Sequence, residues 1–256
     1  LTCNIQKFGR SFQGGAIFVA WARIYSDTYA DIMFSRSLDC GETWSAPLKV
    51  NDQKSQASQG VAVSVDPRTG YVYVTWRRFG IAGASPKQDE DAIFAVRSFS
   101  GGQKFTQPRL ITTFVPYEQG QGPLRFRTEA FPTMTSSVDA SGTRSWTHIA
   151  WAQRGANGDG QIVMTHVVVS APPKTYDEWN DPLDGWKIPA DPVDAAPIVD
   201  GAQGNAFTRG HQFMPALTFT RGKLVLVYYD SRLDHTRTYH SPHQSQDPCS
   251  PVGTCW

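Results

Sequence analysis

Four arginines stand two or three residues beyond a recurring aromatic position: Arg23 after Trp21, Arg78 after Trp76, Arg154 after Trp151 and Arg232 after Tyr229. A guanidinium grips a carboxylate or sulfate through paired hydrogen bonds, so arginines gathered at one level would favour an anionic ligand. The competing reading is that each is neutralised by an Asp or Glu of a neighbouring loop. A second polar cluster runs Arg125-Phe126-Arg127-Thr128-Glu129. Arg127 and Glu129 could hold an anion or sugar with Phe126 as a stacking plate, or simply tie their own loop by an ion pair. Asp177, Glu178, Asp181, Asp184, Asp191 and Asp194 offer oxygen ligands without the spacing of a calcium loop, and calcium is the one cofactor the sequence could accommodate. His235, His240 and His243 match no zinc spacing, so no metal site is expected. No phosphate-binding loop, dinucleotide fingerprint or nucleophile elbow is present.

These side chains need a scaffold, and the pattern of the chain is that of strands. Short alternating or wholly apolar runs recur between turn residues, and helical periodicity is almost absent. Val61–Val65 and Tyr71–Trp76 flank the turn-forming Asp66-Pro67-Arg68-Thr69-Gly70, and Asp91–Arg97 and Pro108–Thr112 complete a four-strand meander. Phe131–Val138, Trp146–Gln153, Gln161–Val169 and Gly185–Pro189 read as a second set, and Phe213–Thr220 with Lys223–Tyr229 as the start of a third. Ala16–Ala22, Asp31–Ser37 and Leu48–Val50 read as the last three strands of an earlier set. Trp21, Trp76, Trp151 and Tyr229 fall at the same register, at spacings of 55, 75 and 78 residues. Four-stranded repeats on this scale predict an all-β β-propeller, with loops longer than those of the usual blade of ~40–50 residues. The second strand of each set is apolar on both faces, as a blade between two others requires.

Composition narrows the partners. Across 256 residues, 24 Lys and Arg balance 23 Asp and Glu, which argues against nucleic acid and against adsorption to an acidic membrane. No apolar run is long enough to span a bilayer. Cys3, Cys40, Cys249 and Cys255 form no C-x-x-C pair. We expect Cys249–Cys255 and Cys3–Cys40 disulfides and hence a secreted or cell-surface protein, against the alternative of free thiols in a reducing compartment.

One segment resembles a family motif. Ser37-Leu38-Asp39-Cys40-Gly41-Glu42-Thr43-Trp44, between the third and fourth strands of the first set, is similar to the Asp-box of sialidase-like propellers. Its physics is local: the Asp39 carboxylate can accept from its own turn, Gly41 permits positive φ, and Trp44 can cover the hairpin. Ser37, Asp39, Gly41, Thr43 and Trp44 are therefore assigned structural roles. A worn copy stands at Ser98-Phe99-Ser100-Gly101-Gly102-Gln103-Lys104-Phe105.

The stretch His211-Gln212-Phe213-Met214-Pro215, followed by Tyr228 to His235, resembles the sialidase segment that runs from an Arg-Ile-Pro motif to an Asp near a His. The resemblance would make Asp234 the acid/base, with Arg232 and His235 beside it. Phe213 stands where the carboxylate-clamping Arg should be, and that departure weakens selectivity for sialic acid. The long second-to-third and fourth-to-first loops share one face of a propeller, and we expect ligands there.

The expected protein is thus an extracellular Asp-box propeller module binding glycan or protein through that face. An exo-acting sialidase-like glycoside hydrolase and a structural unit of a larger surface or filament assembly are the alternatives. We expect one propeller segment over residues 1–256, with blades at about 1–51 (partial), 59–112, 130–190 and 212–232 (partial). Residues 233–256 read as a Cys/Pro/His-rich tail. This is roughly half of a six-bladed ring, to be completed by the rest of a propeller or by an assembly.

Overall fold

The computed structural model describes residues 15–51, 56–80, 90–117, 128–155, 159–169, 191–194, 198–199, 206–207 and 211–230. No helix occurs among them, and none is long and apolar enough to cross a membrane. The first sheet holds β1 (Ile17–Ser26), β2 (Tyr29–Ser37) and β3 (Leu48–Lys49). The second is the meander β4 (Ser58–Val65), β5 (Val72–Arg78), β6 (Asp91–Ser98) and β7 (Arg109–Phe114). The third repeats it with β8 (Thr133–Val138), β9 (Ser145–Arg154), β10 (Gly160–Val169) and β11 (Asp191–Pro192). Two hairpins follow: β12 (Ile198–Val199) with β13 (Ala206–Phe207), and β14 (Gln212–Thr220) with β15 (Lys223–Asp230). All pairings are antiparallel.

Two details differ from the sequence expectation. The fourth strand of the third sheet is Asp191–Pro192, whereas Gly185–Pro189 lies outside the described residues. The β12–β13 hairpin interrupts what reads as a continuous loop, because two-residue strands carry no period to detect.

The sheets stack through separate apolar layers. On β5, Val72, Val74 and Trp76 face the first sheet and meet Ile32 and Phe34, while Tyr73 faces the third. On β9, Ile149 and Trp151 face the second sheet with Ile93, Ile111 and Phe114, while Ala150 and Ala152 face Leu217 of β14. The period-2 alternation of a strand therefore feeds two cores at once. Trp76 and Trp151 both point to the preceding sheet and are fully buried, but Tyr229 does not follow them: on β15 it is Leu226 and Tyr228 that pack toward the third sheet, and Tyr229, one residue on, lies on the exposed face. At the ends of the stack β1 and β15 are largely exposed, and Val227 and Tyr229 show 63% and 65% of their surface.

Close approach between sheets is made by glycine. Gly102 (φ 79°) lies under the Phe34 ring of the first sheet, where a Cβ would come within 2.5 Å of a ring carbon. Gly60 (φ 67°), in the bulge that shifts the β4–β5 register, lies under Phe131, with 2.3 Å left for a Cβ. Asp66 adds a polar link: fully buried, it accepts from the Arg68 N–H at 2.8 Å, the Thr69 hydroxyl at 2.7 Å and Ser145 of the third sheet at 2.7 Å.

Candidate functional site

The strand order sends the β1–β2 and β5–β6 connections, with the chain leaving β3 and β7, to one face of the stack. The end of β1 and the start of β2 carry an exposed polar and aromatic patch there. Tyr25 and Tyr29 bracket the two-residue turn and stack with ring centroids 5.0 Å apart at 20°. Both hydroxyls donate to Asp31, Tyr29 at 2.9 Å and Tyr25 at 3.2 Å. Lys49, brought over by the β2–β3 pairing of Met33 with Lys49, places its ammonium 2.6 Å from the same carboxylate. Arg23, opposite Asp31 in register, sits 5.2 Å over the Tyr25 ring. Burial alone would raise the Asp31 carboxyl, but Lys49, Tyr29 and Tyr25 outweigh it and hold it below the ordinary carboxylate range. Asp31 is therefore an ionised acceptor at neutral pH rather than a proton donor. Tyr25 is half exposed, so an aromatic face and an anchored carboxylate meet solvent together.

A second aromatic group lies between the third sheet and β14. His211, 1% exposed, stacks on Tyr117 at 4.6 Å and accepts from the Gly160 N–H at 3.1 Å. Phe213 stacks between Tyr117 at 6.5 Å and Tyr229 at 5.6 Å. Gln212 accepts from Ile162 and donates to the Asp194 carbonyl, fixing the strand that carries Phe213. Met214 next to it has φ 53°, within the register shift between Phe213 and Ala216. A non-glycine residue in that region stores about 1–3 kcal/mol of strain.

The arginines have separate surroundings. Arg78 is 6% exposed, donates to the Glu90 carbonyl at 3.0 Å and lies over Phe94. Burial lowers its pKa against the raising influence of Asp91 and Glu90. Arg154 ends β9 and is half-buried, its backbone N–H donating to the Val115 carbonyl. Arg77, which no sequence motif singles out, makes a buried ion pair with Asp91 and stacks 4.1 Å over Phe79. Glu129 is half-buried. Arg127, Arg232, Asp234, His235, Cys3, Cys249 and Cys255 lie outside the described residues. Cys40 is disulfide-bonded, and its partner also lies outside them.

On the opposite face, Asp39 accepts from the Ser37 hydroxyl at 2.7 Å and from the Thr43 N–H at 2.9 Å. The Ser37 and Thr43 bonds lower its pKa to about 2. Cys40 and Gly41 take φ of 62° and 97°, and the Trp44 indole donates to the Gly41 carbonyl at 3.1 Å. Trp44 remains 46% exposed, so it closes its own turn more than it covers the sheet. Ser98 and Ser100 reproduce the pattern, accepting from Gly102 at 2.8 Å and Lys104 at 3.1 Å. Asp39 is wholly engaged in holding its turn. Among the described residues no group of three or more His, Cys, Asp or Glu is arranged to hold a metal ion. Of the acidic stretch considered for calcium, Asp191 and Asp194 are described, and Asp194 accepts from Tyr228.

No protein-family model matches the chain, and no curated protein matches it. Solved structures do. Hadza microbial sialidase Hz136 superposes with a TM-score of 0.52 at 15% identity, over 85% of this chain and 40% of that one. A protein of unknown function from Dyadobacter fermentans matches at 0.48 and 13%, over 84% of this chain and 59% of that one. The intramolecular trans-sialidase from Ruminococcus gnavus matches at 0.45 and 17%, over 85% and 37%. The chain thus spans less than two thirds of the length of each. The likeness to Hz136 is one of fold: an all-β propeller of four-stranded antiparallel blades with sialidase-like architecture.

Proposed function

We propose that the chain is a glycan-binding propeller module that takes its ligand on the long-loop face. The observation that carries this reading is the exposed Tyr25–Tyr29 stack over an ionised Asp31 held by Lys49. A sugar ring offers a C–H face to an aromatic ring and hydroxyls to a fixed carboxylate and ammonium, and this patch supplies both kinds of partner. The likeness in fold to a sialidase supports a carbohydrate ligand by analogy alone. A disulfide at Cys40 supports a secreted or cell-surface location, and the bonded Ser37–Trp44 turn supports the Asp-box reading. The test is calorimetric titration with neutral and sialylated oligosaccharides. Tyr25→Ala and Asp31→Asn should each weaken binding at least ~10-fold, with the melting temperature little changed. Unaltered affinity in both variants overturns the patch as the site.

An exo-glycosidase with Asp234 as acid/base is the second reading, favoured by the same fold likeness. Phe213 stands against it, because a ring stacked between Tyr117 and Tyr229 cannot clamp a carboxylate. Release of fluorophore from a sialoside, abolished by Asp234→Asn, would decide for the enzyme.

A further inference from the structure

We propose that the slot between the third sheet and the β14–β15 hairpin binds a divalent late transition-metal ion through His148 and His166. The slot has a volume of about 580 Å³ and opens on the short-turn face, opposite the proposed glycan site. Ser137, Trp146, His148 and His166 form one wall and Phe219 with Leu224 the other. His148 of β9 and His166 of β10 are directly opposed across the ladder, so both imidazoles leave the same face of the sheet. Their ring centroids are 5.8 Å apart at 50°. With a metal–nitrogen bond of about 2.0 Å, an imidazole centroid lies about 3.2 Å from the ion. Two rings about 110–130° apart around one ion then have centroids about 5.2–5.8 Å apart.

The donor state also fits. Nε2 of His148 lies 2.8 Å from the Ser137 hydroxyl, while its Nδ1 is buried with no hydrogen-bond partner. When Nε2–H donates to Ser137, Nδ1 carries a free lone pair, the arrangement in which a second group orients a metal-binding imidazole. The Asp139 carboxylate lines the slot too, but Ser141, Thr143 and Arg144 of its own turn occupy it. Water completes the coordination.

The experiment is calorimetric titration of the full chain with Ni²⁺ and with Zn²⁺. It is done in a background where His235, His240 and His243 are replaced by Ala, so that the tail adds no signal. One ion per chain should bind, and His148→Ala and His166→Gln should each weaken binding at least ~10-fold while circular dichroism stays that of the parent. His166 is only half-buried, so the second variant tests the site even where the first disturbs packing. No binding up to about 1 mM ion, or binding unchanged in His166→Gln, overturns the proposal.

Discussion

At the scale of single residues, the division of labour among carboxylates follows from what surrounds each one. Asp39 and Asp139 are fully occupied by hydroxyls and N–H groups of their own turns, chiefly Ser37 and Ser141, and both pKa values fall to about 2. Their folded values lie below the unfolded 3.8, so their stabilisation is complete above that pH and is lost as pH falls toward 2. The acid limb of a stability–pH profile between those limits should therefore flatten in the Asp39→Asn, Asp139→Asn double variant. Chemical denaturation at stepped pH measures it, and an unchanged limb would contradict the assignment. Asp31 differs because its partners belong to three strands. That difference also explains what the sequence left hidden. Asp39 advertises itself, since every partner lies within a few residues. Asp31 and Lys49 meet only once the β2–β3 register is known, and only the Tyr25-to-Asp31 spacing around a tight turn signals the patch. Nothing in the sequence singles out Arg77, because its ion pair with Asp91 exists only once β5 and β6 are in register.

Among elements, the decisive contacts are between sheets. The recurring aromatic was legible because a strand buried on both faces has few polar positions, and one large ring repeated at the same register stands out. The glycines that let the sheets approach were not legible, since a glycine in a strand or turn gives no sign of which ring will cover it. Gly102→Ala should cost about 1–3 kcal/mol, because the new methyl group meets the Phe34 ring. Shrinking that ring in Phe34→Leu should remove most of the added cost, leaving the backbone strain of Ala at positive φ. A double-mutant cycle by urea unfolding gives the coupling, and strictly additive effects would contradict the contact. The ill-placed fourth strand of the third sheet has a plain origin: Asp191-Pro192 is a poor strand sequence, tolerated only because a sheet edge needs no inner ladder bond from Pro.

For the whole molecule, stability is carried by layers in series. Each apolar layer joins one sheet to the next, so cooperativity passes along the stack rather than through a single centre. Amides of β5, β6 and β9 should exchange with deuterium slowest and those of β1 and β15 fastest, following burial. Protection of β15 equal to that of β5 would mean that its Val227 and Tyr229 face is covered in solution. The glycine–ring contacts carry a historical consequence as well. With 2.3 Å between Phe131 and a Cβ at position 60, and 2.5 Å between Phe34 and one at position 102, neither glycine can gain a side chain while its ring stays in place. In a lineage of such chains the glycine should be kept wherever the ring is kept, and a side chain should enter at the glycine only after the ring has changed, so neighbouring blades inherit their mutual fit in a fixed order.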